Sequence, residues 1–200
     1  MKKLALVLSI ALALIGCASS QPPATQQQRP PESRPAGGIK SYADVITKEA
    51  KSDSGLFTTH RVKEKLYFEI PKKEMNKEFL FVSRQAKTQT GFGYGGDEIN
   101  SQVVRWERIG DKILLRSVYY ASVAPDTLPV AESVKKATLP PILMAFDLQA
   151  YNKDSSTMVI DVTELFTTDV AELGLSRLQR EQLRVRRLDP KRSFVEYSKS

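Results

Sequence analysis

The fold is decided by the stretch Ser101-Gln-Val-Val-Arg-Trp-Glu-Arg-Ile-Gly-Asp-Lys-Ile-Leu-Leu-Arg-Ser-Val-Tyr-Tyr120, in which two apolar-rich runs meet at a Gly-Asp pair. Such a pair is typical of a two-residue hairpin turn, and Gly110 takes the position that needs a positive φ. A lone hairpin is marginal in water. We therefore expect the segments on either side to add strands to it.

The turn also fixes which residues of the hairpin face each other. It places Trp106 opposite Leu115 and Arg105 opposite Arg116. Two facing arginines are tolerable in water, so we predict that their face is solvated and that the hairpin is half-buried. The face that must be covered carries four apolar side chains: Val104, Trp106, Ile113 and Leu115.

Strand-type runs recur on both sides of the hairpin, separated by short turns. They are predicted at 56–60, 65–70, 79–83, 142–151, 157–162 and 194–197. Two short helices are predicted, from Tyr42 to about Ala50 with Ser41 as N-cap, and from the capping box Ser176-Arg-Leu-Gln179 to about Leu183. With little helix between the strands, the expected fold is mainly β, an antiparallel β-rich domain built as a meander of hairpins.

The first sixteen residues are a different kind of sequence. Lys2 and Lys3 precede the apolar run from Leu4 to Ile15. A basic start and an apolar run of about 12 residues predict a signal peptide over residues 1–16, too short for a permanent membrane span. Leu14-Ile-Gly-Cys17 resembles the lipobox of bacterial lipoproteins, which implies that Cys17 is lipidated and becomes the mature N-terminus. A plain signal peptide with a chance cysteine is the alternative.

The predicted location is the cell envelope. The membrane is expected to be a partner of the chain, which it would bind through acylated Cys17. Ala18 follows this cysteine instead of aspartate, which in the lipoprotein resemblance favours the outer membrane, facing the periplasm or the exterior. Cys17 is the only cysteine, so the mature chain is expected to contain neither a disulfide nor a thiolate metal cluster. Residues 17–38 are rich in Pro and Gln and predict a disordered linker ahead of a domain over 39–200.

Few side chains point to catalysis or to a metal site. His60 is the only histidine and no H-E-x-x-H is present, which excludes a zincin-type centre in this chain. A Ser-His-Asp triad could be assembled around His60, but a surface or packing role is the simpler interpretation. Asp161, Glu164 and Asp169 match no calcium loop and predict a solvated edge. We therefore expect no catalytic residue, metal ligand or cofactor in this chain.

Two further patterns concern nucleotides and nucleic acids. Gly91-Phe-Gly-Tyr-Gly-Gly96 formally satisfies G-x-G-x-x-G but leads into Asp97-Glu98 and a strand, where a phosphate would need a helix N-terminus. A mobile glycine loop is the better interpretation. Removal of residues 1–16 lowers the net charge from +7 to +5, and residues 176–200 alone hold eight basic and three acidic residues. An exported chain rarely meets nucleic acid, so a solvated helix face, an ion-paired contact or anionic lipid or glycan is expected.

The order of several short motifs resembles the N-terminal, non-catalytic region of a family of large bacterial envelope proteins classed as zinc-dependent metalloproteases. The resemblance covers about residues 39–200. Its motifs are Ser54-Gly-Leu-Phe-Thr-Thr-His60, Leu66-Tyr-Phe-Glu-Ile-Pro71, Val103-Val-Arg-Trp-Glu-Arg108, Gly110-Asp-Lys-Ile-Leu-Leu115, Pro141-Ile-Leu-Met-Ala-Phe-Asp147 and Leu188-Asp-Pro-Lys-Arg-Ser193.

The resemblance implies a lipid-anchored accessory domain whose partner is a C-terminal catalytic domain or another envelope protein. In that family the zinc-binding H-E-x-x-H lies several hundred residues further on, so no catalytic residue transfers to this sequence and the chain alone is not expected to be an enzyme. The segment over 39–200 is expected to be truncated at its C-terminus, or else to be a shortened relative. A stand-alone envelope lipoprotein that binds glycan, peptide or protein is the alternative function.

Overall fold

The computed structural model describes residues 38–88, 90, 94–120 and 127–200, with the backbone alone for 134–137. The predicted signal peptide, Cys17 and almost all of the linker lie outside these ranges. Within them, no helix has the length and apolar character that a membrane crossing requires.

Eight strands and four short α-helices make up the described part of the chain. The strands are β1 Lys51–Asp53, β2 Thr58–Val62, β3 Lys65–Pro71, β4 Glu78–Arg84, β5 Glu98–Ile109, β6 Lys112–Ser117, β7 Ile142–Tyr151 and β8 Thr157–Asp161. The helices are α1 Tyr42–Val45, α2 Val130–Ala137, α3 Thr163–Thr167 and α4 Arg177–Gln182, with 3₁₀ turns at Lys72–Glu74 and Pro190–Arg192. The predicted mainly-β class is confirmed.

All strands belong to one antiparallel sheet with the order β1-β2-β3-β8-β7-β6-β5-β4. Two meanders, β1–β3 and β4–β8, are joined where β3 pairs with β8. Within the described residues, β1 and β4 form the two edges of the sheet. The predicted meander of hairpins is therefore confirmed in two parts, whereas the pair that joins them had no signal in the local sequence.

The central hairpin has the predicted register. Gly110 has a φ of +59°, Trp106 faces Leu115, and Arg105 faces Arg116. The four apolar side chains of the covered face are at most 3% exposed. The turn chemistry and the alternation of side chains were sufficient to place these residues in the core.

The opposite face of the hairpin is only partly solvated, and the prediction is wrong for Arg116. Arg116 is only 6% exposed, because β7 pairs with β6 on this side and the chain before β7 passes over the arginine. Its guanidinium donates to the Glu107 carboxylate and, at 2.6 Å, to the Pro140 carbonyl. The carboxylate compensates the charge of Arg116, so bulk water is not needed.

The sheet is strongly curved and encloses its own core. Phe57, just before β2, contacts Phe79 of the edge strand β4 with ring centroids 5.1 Å apart, and it also contacts Trp106 of β5. Helix α3 closes the remaining side, where Phe166 packs against Phe68 at 5.8 Å. Strands that are distant in the sheet order thus share one apolar cluster.

The predicted strand at Phe194–Tyr197 is wrong. The segment 193–200, which we call the C-terminal segment, pairs with no strand of the sheet. The guanidinium of Arg61 in β2 donates to the carbonyls of Val195 at 2.6 Å and Glu196 at 2.7 Å. A side chain therefore satisfies backbone groups that a strand neighbour would otherwise satisfy.

The predicted helices are only partly correct. Helix α1 ends at Val45 instead of about Ala50, and Ser41 makes no capping hydrogen bond. Strand β1 at Lys51–Asp53 was not among the predicted strands, and it pairs with β2. The capping box at Ser176 and the helix that it opens are confirmed. Helices α2 and α3 were not predicted.

Candidate functional site

A partly buried polar cluster joins five elements of the fold. Tyr42 of α1, Ser52 of β1, His60 of β2, Glu69 of β3 and Thr157 of β8 form what we call the Glu69 cluster. His60 is 3% exposed. Of the two roles considered for this histidine, the structure therefore supports packing over a surface position.

Glu69 is the common acceptor of the cluster. Its Oε2 lies 2.7 Å from the Tyr42 hydroxyl and 2.8 Å from His60 Nε2, and its Oε1 accepts from Thr157 Oγ1 at 2.5 Å. An ionised carboxylate only accepts hydrogen bonds, so His60 Nε2 carries a proton. In the neutral imidazole, Nδ1 is then free to accept from Ser52 Oγ, which lies 2.7 Å away.

These contacts set the protonation state of the cluster. The hydrogen bond from His60 lowers the pKa of Glu69 from 4.5 to about 2, supported by those from Thr157 and Tyr42 and opposed by burial. Burial, with the hydrogen bond to Glu69, raises the pKa of the Tyr42 phenol. Glu69 is therefore ionised and Tyr42 neutral at physiological pH.

Ser52, His60 and Glu69 form a hydrogen-bonded chain of hydroxyl, imidazole and carboxylate. The catalytic triad of serine hydrolases has the same sequence of groups. His60 Nδ1 could accept the Ser52 proton. However, Glu69 also accepts two further hydrogen bonds that fasten α1 and β8 to the sheet, and Ser52 lines none of the three cavities described in the structure. The hydrogen bonds of this arrangement hold five elements of the fold together.

The acidic residues considered as a cation site have other partners. Asp161 accepts from Lys65 at 2.9 Å, and Asp169 forms a two-point ion pair with Arg180 at 2.5 and 2.6 Å. Among the residues that the structure describes, no group of three or more His, Cys, Asp or Glu side chains is placed to hold a metal ion.

A groove lies between β4 and the helices α3 and α4, and we call it the α3–α4 groove. Its volume is about 380 Å³, within the range of about 300–1,000 Å³ that is usual for ligand sites. Its lining is mainly apolar, with a few polar groups at the rim. The lining residues are Phe81, Ser83, Ile99, Leu165, Phe166, Thr168, Asp169, Val170, Leu173, Gly174, Leu175, Arg180, Val185, Arg187 and Leu188.

The wall between α3 and α4 is held to the sheet by side chains. Ser83 donates to the Leu173 carbonyl at 2.6 Å, and Asn100 donates to the Gly174 carbonyl at 3.1 Å. The ion pair with Arg180 also lowers the pKa of Asp169. These bonds make the groove a pre-formed feature of the fold.

The basic residues around α4 divide into paired and unpaired groups. Arg177, Arg180 and Arg192 form ion pairs with Glu181, Asp169 and Asp189. Four other basic side chains of the described segment 184–191 have no ion pair and no hydrogen bond: Arg184, Arg186, Arg187 and Lys191. The sequence predicted the basic character of this region, but not which cations are unpaired.

The glycine motif lies partly outside the described residues, since Gly91 to Gly93 are not covered. Its last residue, Gly96, has a φ of +99°, and strand β5 follows. A dinucleotide fingerprint leads into a helix N-terminus, so the observed strand agrees with the interpretation drawn from the sequence.

Two family models match this chain. One describes a domain of unknown function (DUF5118) and matches residues 39–88, and the other describes a domain of unknown function (DUF5117) and matches residues 96–200. No curated protein and no solved structure matches. Strands β1–β4 lie in the first region and β5–β8 in the second, yet all eight form one sheet. Because residues 96–200 make up more than half of the sequence, the chain belongs to the DUF5117 family.

Proposed function

We propose that this protein is a lipid-anchored, non-catalytic domain that binds a protein partner at the cell envelope. In this proposal the chain is the N-terminal accessory domain of a zinc-dependent metalloprotease-like protein. The zinc ion of that protein would be bound by its catalytic domain. The resemblance across residues 39–200 and the lipobox-like sequence ending at Cys17 support the assignment.

The observation that carries the binding role is a set of exposed apolar side chains on the C-terminal segment and on and just after α4. Phe194 and Tyr197 are 76% and 78% exposed, and Leu178 and Leu183 are exposed as well. Contiguous exposed apolar side chains are typical of a protein contact, and arginine is enriched at such contacts. Arg180 of α4 also lines the α3–α4 groove.

A photo-crosslinking amino acid at position 194 tests the binding role. We expect it to give one dominant protein adduct in cells that express the lipid-anchored chain, because Phe194 belongs to the proposed contact surface. The matched control is position 153, since Lys153 is an exposed residue of the β7–β8 turn. Equal adducts at both positions, or none at 194, would contradict the proposal.

The stand-alone binding lipoprotein is the second candidate, and the same exposed surface supports it. The two candidates differ in whether the partner belongs to the same polypeptide. Downstream coding sequence with an in-frame H-E-x-x-H supports the accessory domain. An adduct at position 194 with a separate envelope protein supports the stand-alone lipoprotein.

We predict that Cys17 is acylated and is the first residue of the mature protein. Intact mass and detergent partitioning measure this directly, because an acylated chain enters the detergent phase. The Cys17→Ser variant should remain unprocessed and lack the acyl mass. Processing of that variant at the same site as the parent would overturn the prediction.

We also predict that the mature chain neither binds zinc in stoichiometric amount nor cleaves peptides. One histidine and one acylated cysteine do not provide the ligands of a catalytic zinc site. Metal analysis after dialysis and a peptide-library assay provide the measurements. Cleavage that is inhibited by a chelator, copurifies with the chain and disappears in Ser52→Ala or His60→Ala would refute the prediction.

A further inference from the structure

We propose that the α3–α4 groove binds an extended, acidic polypeptide segment that adds a strand to the free edge of β4. This inference rests on the proposed function and specifies the chemistry of the partner. Three features carry it: the edge strand, the apolar lining and the unpaired cations.

The edge strand provides the backbone contacts. In the described ranges, β4 pairs with β5 on one side and with no strand on the other. Phe81 and Ser83 of β4 form one wall of the groove. The centre of this strand, from Phe79 to Ser83, has no charged residue, although charges are the usual protection of a free edge. An extended peptide can satisfy such an edge by main-chain hydrogen bonds.

The apolar lining selects side chains of the bound segment. Leu165 and Leu173 form the buried floor, and Phe166 and Val170 belong to the same lining. In an extended peptide, alternate side chains point the same way. One or two apolar side chains of the partner would therefore enter the groove, with the intervening residues directed to solvent.

The unpaired arginines beside the groove favour a negatively charged segment. Arg187 lines the groove and has no partner among the described side chains, as is also true of Arg184 and Arg186. The acidic residue of the lining, Asp169, is already neutralised by Arg180. Carboxylates beside the apolar anchors would pair with the free guanidinium groups, whereas lysines would be repelled.

The test uses the mature chain and two fluorescein-labelled peptides. One peptide alternates glutamate with leucine and phenylalanine, and the other has lysine in place of each glutamate. We expect the acidic peptide to bind in fluorescence anisotropy and the lysine peptide to bind at least about tenfold more weakly. Added salt should weaken the binding of the acidic peptide.

The variant Arg187→Glu distinguishes a charge contact from a structural effect. The residue is exposed, so the fold should be unchanged. We expect affinity for the acidic peptide to fall about five- to tenfold and affinity for the lysine peptide to rise. Lys153→Glu is the control of equal charge change and should leave both affinities unchanged.

Several outcomes would overturn this inference. They are equal binding of the two peptides, no effect of Arg187→Glu, or binding to anionic phosphatidylglycerol vesicles but to neither peptide, which would assign the cations to lipid. In each case a specific adduct at position 194 would still support the proposed function. The peptide assay therefore tests the peptide-binding groove, and the crosslinking at position 194 separately tests the binding of a protein partner.

Discussion

The variant Trp106→Ala is expected to lower the free energy of unfolding by about 3–5 kcal/mol. Trp106 is 3% exposed and contacts Phe57 and Phe146, with ring centroids 6.4 and 5.6 Å away. Its removal takes apolar surface out of the core and leaves a cavity where the sheet closes on itself. Because the surrounding strands are fixed by their ladders, this cavity can collapse only partly.

Urea denaturation followed by circular dichroism measures this effect. The matched control is Tyr94→Ala, because Tyr94 is an aromatic residue that is 82% exposed, and its loss should change stability by less than about 0.5 kcal/mol. A Trp106→Ala midpoint equal to that of the parent would contradict the packing described here. A smaller slope with an unchanged extrapolated stability would instead report a change in the denatured state.

Acidification is expected to remove about 3 kcal/mol of stability through Glu69 alone. The pKa of Glu69 is about 2 in the folded protein, against an ordinary value of 4.5. A carboxyl group with a lowered folded-state pKa stabilises the fold above its unfolded pKa and loses that contribution as the pH falls through the folded value. The loss should therefore occur between about pH 5 and pH 2.

The variant Glu69→Gln isolates this contribution, since it keeps the shape of the side chain and cannot ionise. Other carboxyl groups titrate in both proteins, so the quantity of interest is the difference between the two stability curves. This difference should shrink as the pH falls from 5 to 2. A constant difference over the whole range would show that the Glu69 pKa is not lowered by folding.

The central hairpin was predictable because its signals are local. Gly110 allowed the turn, and the alternation on both strands placed Trp106 and Leu115 on the same face. The error concerned the other face. The sequence shows that Arg105 faces Arg116, but the Glu107 carboxylate and the chain at Pro140 that cover Arg116 are a tertiary arrangement.

The Glu69 cluster was only partly predictable. The sequence drew attention to His60 but not to its partners. A hairpin with its turn at Lys63 and Glu64 places His60 opposite Tyr67. Glu69 is then the diagonal neighbour of His60 on the same face of the sheet. The position of the turn could therefore have predicted the contact between His60 and Glu69. Ser52 had no such signal, because the run that contains it was not predicted as a strand.

The C-terminal segment shows a different limit of sequence interpretation. Phe194 to Tyr197 have the composition of a strand, but composition does not provide a neighbour for the ladder. Arg61 satisfies two carbonyls there from a distance of more than 130 residues in sequence. Helices α2 and α3 were missed because each is short, with eight and five residues.

The pairing of β3 with β8 has a consequence for the order in which this protein folds. It joins residues 67–71 to residues 157–161, whereas most other ladders join neighbouring hairpin strands. Closing so long a loop is entropically costly, so the two meanders can form before the contact between them is gained. The β3–β8 contact is then a late step, and it joins the meander β1–β3 to the meander β4–β8. Until β8 has been synthesised, the open side of β3 therefore has no partner strand, and the unpaired edge is a site at which the incomplete chain can aggregate.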